Sequence, residues 1–187
     1  MTELEKFNLG LEYDCTDPEI GEIQHVYRRK LWEYNQLGPD QNEEKQKYMH
    51  EVFAECGEDN FIESPFHANW GGHHVHFGNG IYANSGLTLV DDADIYVGSH
   101  TMFGPNVVVA SAGHPIDPEK RKHSIEINKP VHIGENVWIG AGVIIIPGIT
   151  IGDNSVIGAG SVVVKNIPAN VVAVGNPCKV IHPIDKK

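Results

Sequence analysis

The chain has 187 residues, 41% of them hydrophobic and 21% charged, which is the composition of a folded globular protein and not of a disordered one. Its net charge of -11 lacks the basic surface that nucleic acid or an anionic membrane requires, so we expect neither partner. Three widely spaced cysteines make neither a disulfide framework nor a CxxC site, and no apolar run approaches the roughly 18 residues of a membrane span, which predicts a cytoplasmic protein.

The first third of the chain predicts two helices. Residues 17–19 (Asp-Pro-Glu) combine an N-cap, a proline at the first helical position and an acid in the first turn, and the helix is expected to run to about Leu37. Asp40 with Glu43 is a candidate capping box for a second helix, to about Cys56. Because two helices alone bury little apolar surface, we expect them to lie over one end of the remaining structure.

The rest of the chain repeats with a period of six residues. From Ile133 an aliphatic residue stands at every sixth position, a second row precedes it by two residues, and the same period begins at Phe77 and, after a slip of two residues, at Val97. A period of six fits neither a helix nor a simple strand, but it fits a coil of three short strands that stacks into a β-helix. A β-sandwich would space its strands by 8–12 residues. The predicted coils cover about 77–94, 97–114, 133–150 and 151–168.

Tight bends are expected between the strands, because Gly and Asn tolerate the left-handed backbone in the segments GNG (78–80), GPN (104–106), GEN (134–136) and GDN (152–154). Residues 115–130 break the period and are predicted to leave the column as an excursion, which in a compact domain is usually functional. The proline-rich tail, residues 169–187, is predicted to wrap irregularly.

Several of these segments resemble a known family. NVWIGAGVIIIPGITIGDNSVIGAGSVVVKNIP (136–168) and VGNPCKVI (174–181) resemble the hexapeptide-repeat acyltransferases, and YANSGLTLVDD (82–92) with GHPIDP (113–118) closely resembles the maltose/galactoside O-acetyltransferases among them. The two N-terminal helices match that family's additional domain, so the chain divides into a helical segment, 1–60, and a β-helix domain with its tail, 61–187.

The resemblance implies a mainly β fold, a left-handed parallel β-helix with an N-terminal two-helix cap. It also implies a homotrimer with an active site between each pair of neighbouring subunits. The implied reaction is transfer of an acetyl group from acetyl-CoA to a sugar hydroxyl, with no metal required.

His114 is the predicted catalytic residue. A hydroxyl is a poor nucleophile at neutral pH, so its attack on a thioester needs a positioned base, and a histidine has a suitable pKa. Among eleven histidines His114 is singled out because the excursion departs there and Pro115 restricts its backbone. It also coincides with the family's catalytic base.

The resemblance supplies the other site residues. Asn84 and Asp92 would contact the acceptor, Asp92 either directly or through the base. Asp14 is the candidate for the family's other acidic contact, whereas Asp17 could be only the helix cap. Trp70 departs from the small polar residue of the galactoside-type members, and Asn69 or Trp70 could fill that position, the latter by stacking on a sugar. The residues carried over for acetyl-CoA are Ala141, Ala159, Val164, Lys165, Lys179 and His182.

Two other functions stay open. The first is a metal-dependent hydratase of the carbonic-anhydrase-like β-helix type, suggested by His73, His74 and His76. Adjacent strand residues point to opposite sides, so His74 and His76 at most share a face and a third ligand would have to come from elsewhere. The second is a non-catalytic trimeric scaffold, which the intact region around His114 disfavours.

Overall fold

The computed structural model describes residues 1–184, so the last three residues of the predicted tail lie outside the described residues. Within them, helices form at the N-terminus and in the excursion, and none is both long and apolar enough to cross a membrane. Numbered in chain order, they are α1 (Glu3–Asn8), α2 (Pro18–Tyr34), α3 (Asn42–Val52) and α4 (Pro118–Lys122).

Three sheets of short strands form the faces of a triangular column, and the chain visits the faces in turn. Face 1 consists of β2 (Glu55–Cys56), β5 (Val75–Phe77), β8 (Ile95–Val97), β13 (Val131–Ile133) and β16 (Thr150–Ile151). Face 2 consists of β3 (Phe61–Ile62), β6 (Tyr82–Ala83), β9 (Met102–Phe103), β14 (Trp138–Ile139), β17 (Val156–Ile157), β19 (Val171–Val174) and β20 (Lys179–Pro183). Face 3 consists of β4 (His67–Ala68), β7 (Thr88–Val90), β10 (Val108–Ala110), β15 (Ile144–Ile145) and β18 (Val162–Val163).

The strands within each face run parallel, apart from the final β19–β20 hairpin, so the predicted parallel β-helix is confirmed. Corner A joins faces 1 and 2. Corner B joins faces 2 and 3 and comprises residues 84–87, 104–107, 140–143 and 158–161. Corner C joins face 3 to face 1 of the next coil and comprises residues 69–74, 91–94, 111–130, 146–149 and 164–166.

The predicted aliphatic rows fill the interior. The row from Ile133 to Val163 is at most 3% exposed, and Ser155 and Ser161 in the second row are completely buried. The predicted bends are confirmed where asparagines adopt positive φ, at Asn106, Asn136 and Asn154.

The number of coils differs from the prediction. Within residues 1–184 the structure has five three-strand coils and part of a sixth, where the sequence predicts four. The additional coil, residues 55–68, places Cys56, Ile62 and Ala68 in the six-residue row. Cys56 and Ala68 are small, so they do not stand out as part of an aliphatic row. The helices that cover this coil supply the apolar volume that these two residues lack.

The N-terminal helices cover the end of the column as predicted. Asp17 caps α2 by accepting hydrogen bonds from the N–H groups of Glu19 and Ile20. The inner sides of α2 and α3 join the main hydrophobic core around Ile62 and Phe66. Two details of the second helix were predicted wrongly. Its N-cap is Gln41, which makes no side-chain cap bond, and it ends at Val52 because the next residue is extended.

The excursion and the tail are more ordered than the sequence suggests. The excursion carries α4 and β12 (Ile125–Asn128), and β12 lies antiparallel between β1 (Tyr13–Asp14) and β11 (Ala112–Gly113). The tail contains the β19–β20 hairpin, so the prediction of an irregular wrap is wrong. Helix α1 was not predicted, although Thr2 and Glu5 form a capping box that begins it.

Candidate active site

The slip of two residues in the repeat builds corner C. Six positions lead from the inward Leu89 to the inward Ile95, whereas only four lead from Ile145 to Ile149 in an upper coil. The longer connection inserts Asp91 and Asp92 into the corner. Corner C is therefore wider in the lower coils, and it carries carboxylates there.

Asp91 supports this corner from inside. It is completely buried and accepts hydrogen bonds from the backbone N–H groups of Trp70, at 2.7 Å, and Gly72, at 2.9 Å. Burial raises the pKa of its carboxyl to about 7, against the lowering effect of these two donors. Asp91 therefore fixes the turn through residues 70–72 and is not available to a ligand.

Asp92, a predicted acceptor contact, is held in a fixed orientation. Its side chain accepts hydrogen bonds from Asn69 Nδ2, at 2.8 Å, and from Trp70 Nε1, at 3.0 Å, one on each oxygen. Burial raises the pKa of this carboxyl, and the two donors oppose the rise. Since a carboxylate oxygen has two acceptor positions, each oxygen of Asp92 can receive one further hydrogen bond.

The expected stacking of Trp70 on an acceptor is contradicted by its burial. Its side chain is 2% exposed, and its ring stacks on Phe7 of α1 with centroids 4.9 Å apart. A ring covered in this way offers no face to a sugar. Its indole N–H donates instead to Asp92.

His114 lies at corner C at the start of the excursion, with its side chain exposed. Its Nδ1 lies 2.8 Å from the carbonyl oxygen of Ile125 in β12. A carbonyl can only accept, so Nδ1 carries the hydrogen and Nε2 of the neutral ring presents its lone pair. This is the tautomer that a general base requires.

The N-terminal arm, residues 1–16, brings Asp14 to the side of corner C on which His114 lies. Asp14 pairs with Ile125 across β1 and β12, opposite the residue that holds His114. Its carboxylate accepts from the N–H and hydroxyl of Thr16, at 2.9 and 2.6 Å, and these bonds lower its pKa. Asp17, the other possibility left by the sequence, is occupied as the N-cap of α2.

Asn84 is not brought to this group within one chain. It lies at corner B, after β6, and the strand Thr88–Val90 of face 3 separates it from Asp92 at corner C. The predicted acceptor contacts therefore divide between two corners of the column.

The residues predicted for acetyl-CoA divide in the same way. Ala141 and Ala159 lie exposed at corner B, each before a glycine, whereas Val164 and Lys165 lie at corner C. Lys179 and His182 are exposed on β20 at the end of face 2, the face that leads into corner B. Corner B offers a flat strip of small residues because Gly104, Gly140 and Gly158 let successive coils approach closely.

The histidines of the HHxH run have separate surroundings. His73 stacks on Tyr27, with centroids 4.0 Å apart; His74 bonds the carbonyl oxygen of Asp91; and His76 lies between two other acids. Among residues 1–184 no three His, Cys, Asp or Glu side chains converge as metal ligands would. The geometry therefore does not favour the hydratase.

Sequence reasoning missed the buried polar residues behind His114. Tyr13, Glu126 and Asn128 are 2%, 9% and 7% exposed and lie where β12 meets β1 and β11. The available signal was the alternation in IEIN (125–128), which is the pattern of a strand inside a segment read as a loop.

Comparisons with known proteins agree with this architecture. Residues 6–57 match the family model described as the maltose acetyltransferase hexapeptide capping motif, and residues 130–165 match that of the bacterial transferase hexapeptide. A galactoside O-acetyltransferase of Lactococcus lactis is 56% identical over 90% of this chain and 81% of its own. The crystal structure of a maltose O-acetyltransferase from Clostridium difficile superposes with a TM-score of 0.96 at 41% identity, covering 100% of this chain and 99% of the other. A galactoside acetyltransferase in complex with coenzyme A gives 0.93 at 40% identity, over 99% and 92%.

Proposed function

The chain belongs to the family of maltose and galactoside O-acetyltransferases, and from that premise we propose that it transfers the acetyl group of acetyl-CoA to a hydroxyl of a sugar or glycoside, with His114 as the general base. The observation that carries the proposal is the hydrogen bond from His114 Nδ1 to the carbonyl oxygen of Ile125. This bond fixes the ring with Nε2 outward, ready to accept the proton of an acceptor hydroxyl.

The reaction is a direct transfer. As the acceptor oxygen attacks the thioester carbonyl carbon, its proton passes to Nε2 of His114. The tetrahedral intermediate then collapses, the C–S bond breaks, and the CoA thiolate takes the proton from the imidazolium. Asp92, oriented by Asn69 and Trp70, accepts a hydrogen bond from an acceptor hydroxyl and so helps to place the reacting one.

Acetyl-CoA binds along corner B of one subunit, with corner C of the neighbouring subunit on its other side. The small residues Ala141 and Ala159 of corner B let the pantetheine arm lie close to the coils, where exposed backbone groups can bond its amides. Lys165 at corner C and Lys179 on β20 meet the phosphates as point charges. Val164, next to Lys165, and His182, on the same strand as Lys179, complete the donor site.

The division of the site between two corners supports a homotrimer. In one chain His114 and Asp92 lie at corner C, whereas Asn84 and Ala141 lie at corner B. A three-fold assembly in which corner B of one subunit meets corner C of the next brings them together and turns face 3 toward the axis. The outward residues of face 3 include Val108, Ile144 and Val162, and Ile144 is 40% exposed in the single chain. Self-association covers this apolar strip.

The location is proposed to be a reducing cytoplasm, because Cys15, Cys56 and Cys178 are free thiols. The sugar class of the acceptor is supported by the relatives' names.

The experiment is a thiol-release assay with acetyl-CoA and a panel of galactosides, maltose and glucosides. His114→Ala is expected to lower the turnover number by about 100-fold or more, the usual contribution of a general base. His50→Ala removes an exposed histidine of α3 and serves as the matched control. Full turnover by His114→Ala, with an unchanged oligomeric mass, would contradict the assignment.

A further inference from the structure

The orientation of His114 depends on a strand that does not belong to the β-helix. The acceptor of its Nδ1–H is the carbonyl of Ile125, and Ile125 begins β12 inside the excursion. The position of β12 therefore decides where the lone pair of Nε2 points.

Two neighbouring strands hold β12, one from each side. On one side β11, which leads into His114, pairs Gly113 with Ile127. On the other side the N-terminal arm pairs Tyr13 with Glu126 through β1. Because strands of two residues bring few ladder hydrogen bonds, pairing alone gives weak support.

A buried side-chain network reinforces the pairing with β1. The Tyr13 hydroxyl donates a short hydrogen bond to Glu126 and accepts one from Asn128 Nδ2, at 3.0 Å. Asn128 Nδ2 also donates to the backbone oxygen of Asp92, at 3.0 Å, which ties β12 to corner C. The network thus joins the N-terminal arm, the excursion and corner C in one set of contacts.

The hydrogen bond from Tyr13 offsets the cost of burying Glu126. Burial raises the pKa of the Glu126 carboxyl, and the hydrogen bond from Tyr13 opposes this effect. Removing the hydroxyl takes this donor away from a buried carboxyl, which favours a movement of β12 toward water. Such a movement takes the Ile125 carbonyl away from His114.

We propose that Tyr13 and Glu126 are positioning residues for the catalytic base: the N-terminal arm, through their hydrogen bond, holds β12 so that Ile125 fixes the ring of His114. The inference rests on the proposed role of His114. It assigns to residues 1–16 a part in the reaction besides packing against Trp70 at corner C.

Tyr13→Phe in the full-length enzyme tests the proposal, with Tyr34→Phe as the matched control. The Phe ring keeps the edge contact of Tyr13 with Phe7 and removes only the hydroxyl. Tyr34 is equally buried, and its hydroxyl donates to the carbonyl of Ile62 at 2.7 Å, away from corner C. Each substitution removes one buried hydroxyl, which makes two hydrogen bonds in Tyr13 and one in Tyr34.

Tyr13→Phe is expected to lower kcat at least about tenfold with KM for acetyl-CoA unchanged, since a misplaced base costs rate and not donor binding. Tyr34→Phe should change kcat less than twofold. Equal effects of the two variants on kcat, or a loss in Tyr13→Phe that lies in KM for acetyl-CoA and not in kcat, would overturn the proposal.

Two substitutions of Glu126 keep the proposal testable if Tyr13→Phe does not fold. Gln retains an acceptor for the Tyr13 hydroxyl and Ala does not, so Glu126→Gln is expected to keep more of kcat than Glu126→Ala. The opposite order, or equal values, would refute the positioning role. His114→Ala separates the two claims. Retained activity in His114→Ala would contradict the proposed function. Loss of activity in His114→Ala together with an unchanged kcat in Tyr13→Phe would contradict only the positioning role.

Discussion

Two neighbouring side chains fix the orientation of the Asp92 carboxylate at corner C. Asn69 and Trp70 each donate to one of its oxygens, and the Trp70 ring is itself held by stacking on Phe7. The buried Trp70 therefore supplies Asp92 with a rigid N–H donor.

Trp70→Phe isolates this contribution. Phe keeps an aromatic ring against Phe7 but removes the donor to Asp92 Oδ1, which leaves a buried carboxylate partly unsatisfied. We expect kcat/KM for the acceptor to fall about tenfold, equivalent to about 1.4 kcal/mol, while KM for acetyl-CoA stays unchanged. Steady-state kinetics with each substrate varied in turn measures both.

Trp32→Phe is the control for that substitution, because Trp32 lies 63% exposed on α2. If Trp70→Phe and Trp32→Phe have the same kcat/KM for the acceptor, the indole N–H of Trp70 is not required to orient Asp92.

At the scale of single residues, the sequence singled out His114, whose role stays a prediction, but did not indicate that Trp70 is buried. The broken repeat and the following proline distinguish His114 from the other histidines. The burial of Trp70 depends on α1, a helix of six residues that packs on it from far along the chain. Such a long-range contact leaves no periodic signal around either residue.

At the scale of elements, close stacking of the coils is what makes corner B a smooth strip. A Cβ added to Gly140 would lie 2.6 Å from the backbone nitrogen and 2.9 Å from the Cα of Ala159, so the coils would have to separate. Position 140 therefore requires glycine because the backbone of the next coil lies so close to it.

Gly140→Ala is expected to destabilise the protein by about 1–3 kcal/mol, the usual cost of overpacking a well-packed site. Gly21→Ala is the control: Gly21 lies in α2 with nothing within 4 Å of an added Cβ, and there alanine should stabilise by about 0.5–1 kcal/mol. Chemical denaturation measures both changes. Equal stabilities of the two variants would show that the coils adjust freely.

The elements that the sequence predicted well are those with a regular period or a local cap. The six-residue rows and the Asp17 cap are local signals, and both are confirmed. Strands β1, β11 and β12 are only two to four residues long, and β1 pairs with β12 across more than a hundred positions, so the alternation in IEIN is the one local pattern that marks this sheet. The lowest coil was missed because its row contains Cys56 and Ala68.

At the scale of the whole molecule, the proposed site residues of one chain lie on two different corners. His114, Asp92 and Lys165 lie at corner C, whereas Asn84 and Ala141 lie at corner B. These residues were proposed from the sequence, but their separation by face 3 became visible only in the folded column. The proposed trimer is the arrangement that unites them.

The central claim, that each active site is built from corner C of one subunit and corner B of the next, is tested by combining two inactive variants. His114→Ala removes the base at corner C, and Ala141→Trp obstructs the acetyl-CoA strip at corner B. Co-expressed with different affinity tags, mixed trimers that contain both variants can be isolated. Each has a single interface where an intact corner C meets an intact corner B, so we predict about one third of wild-type activity. Mixed trimers as inactive as the parent variants would contradict the claim, since a site contained within one subunit cannot be restored in this way.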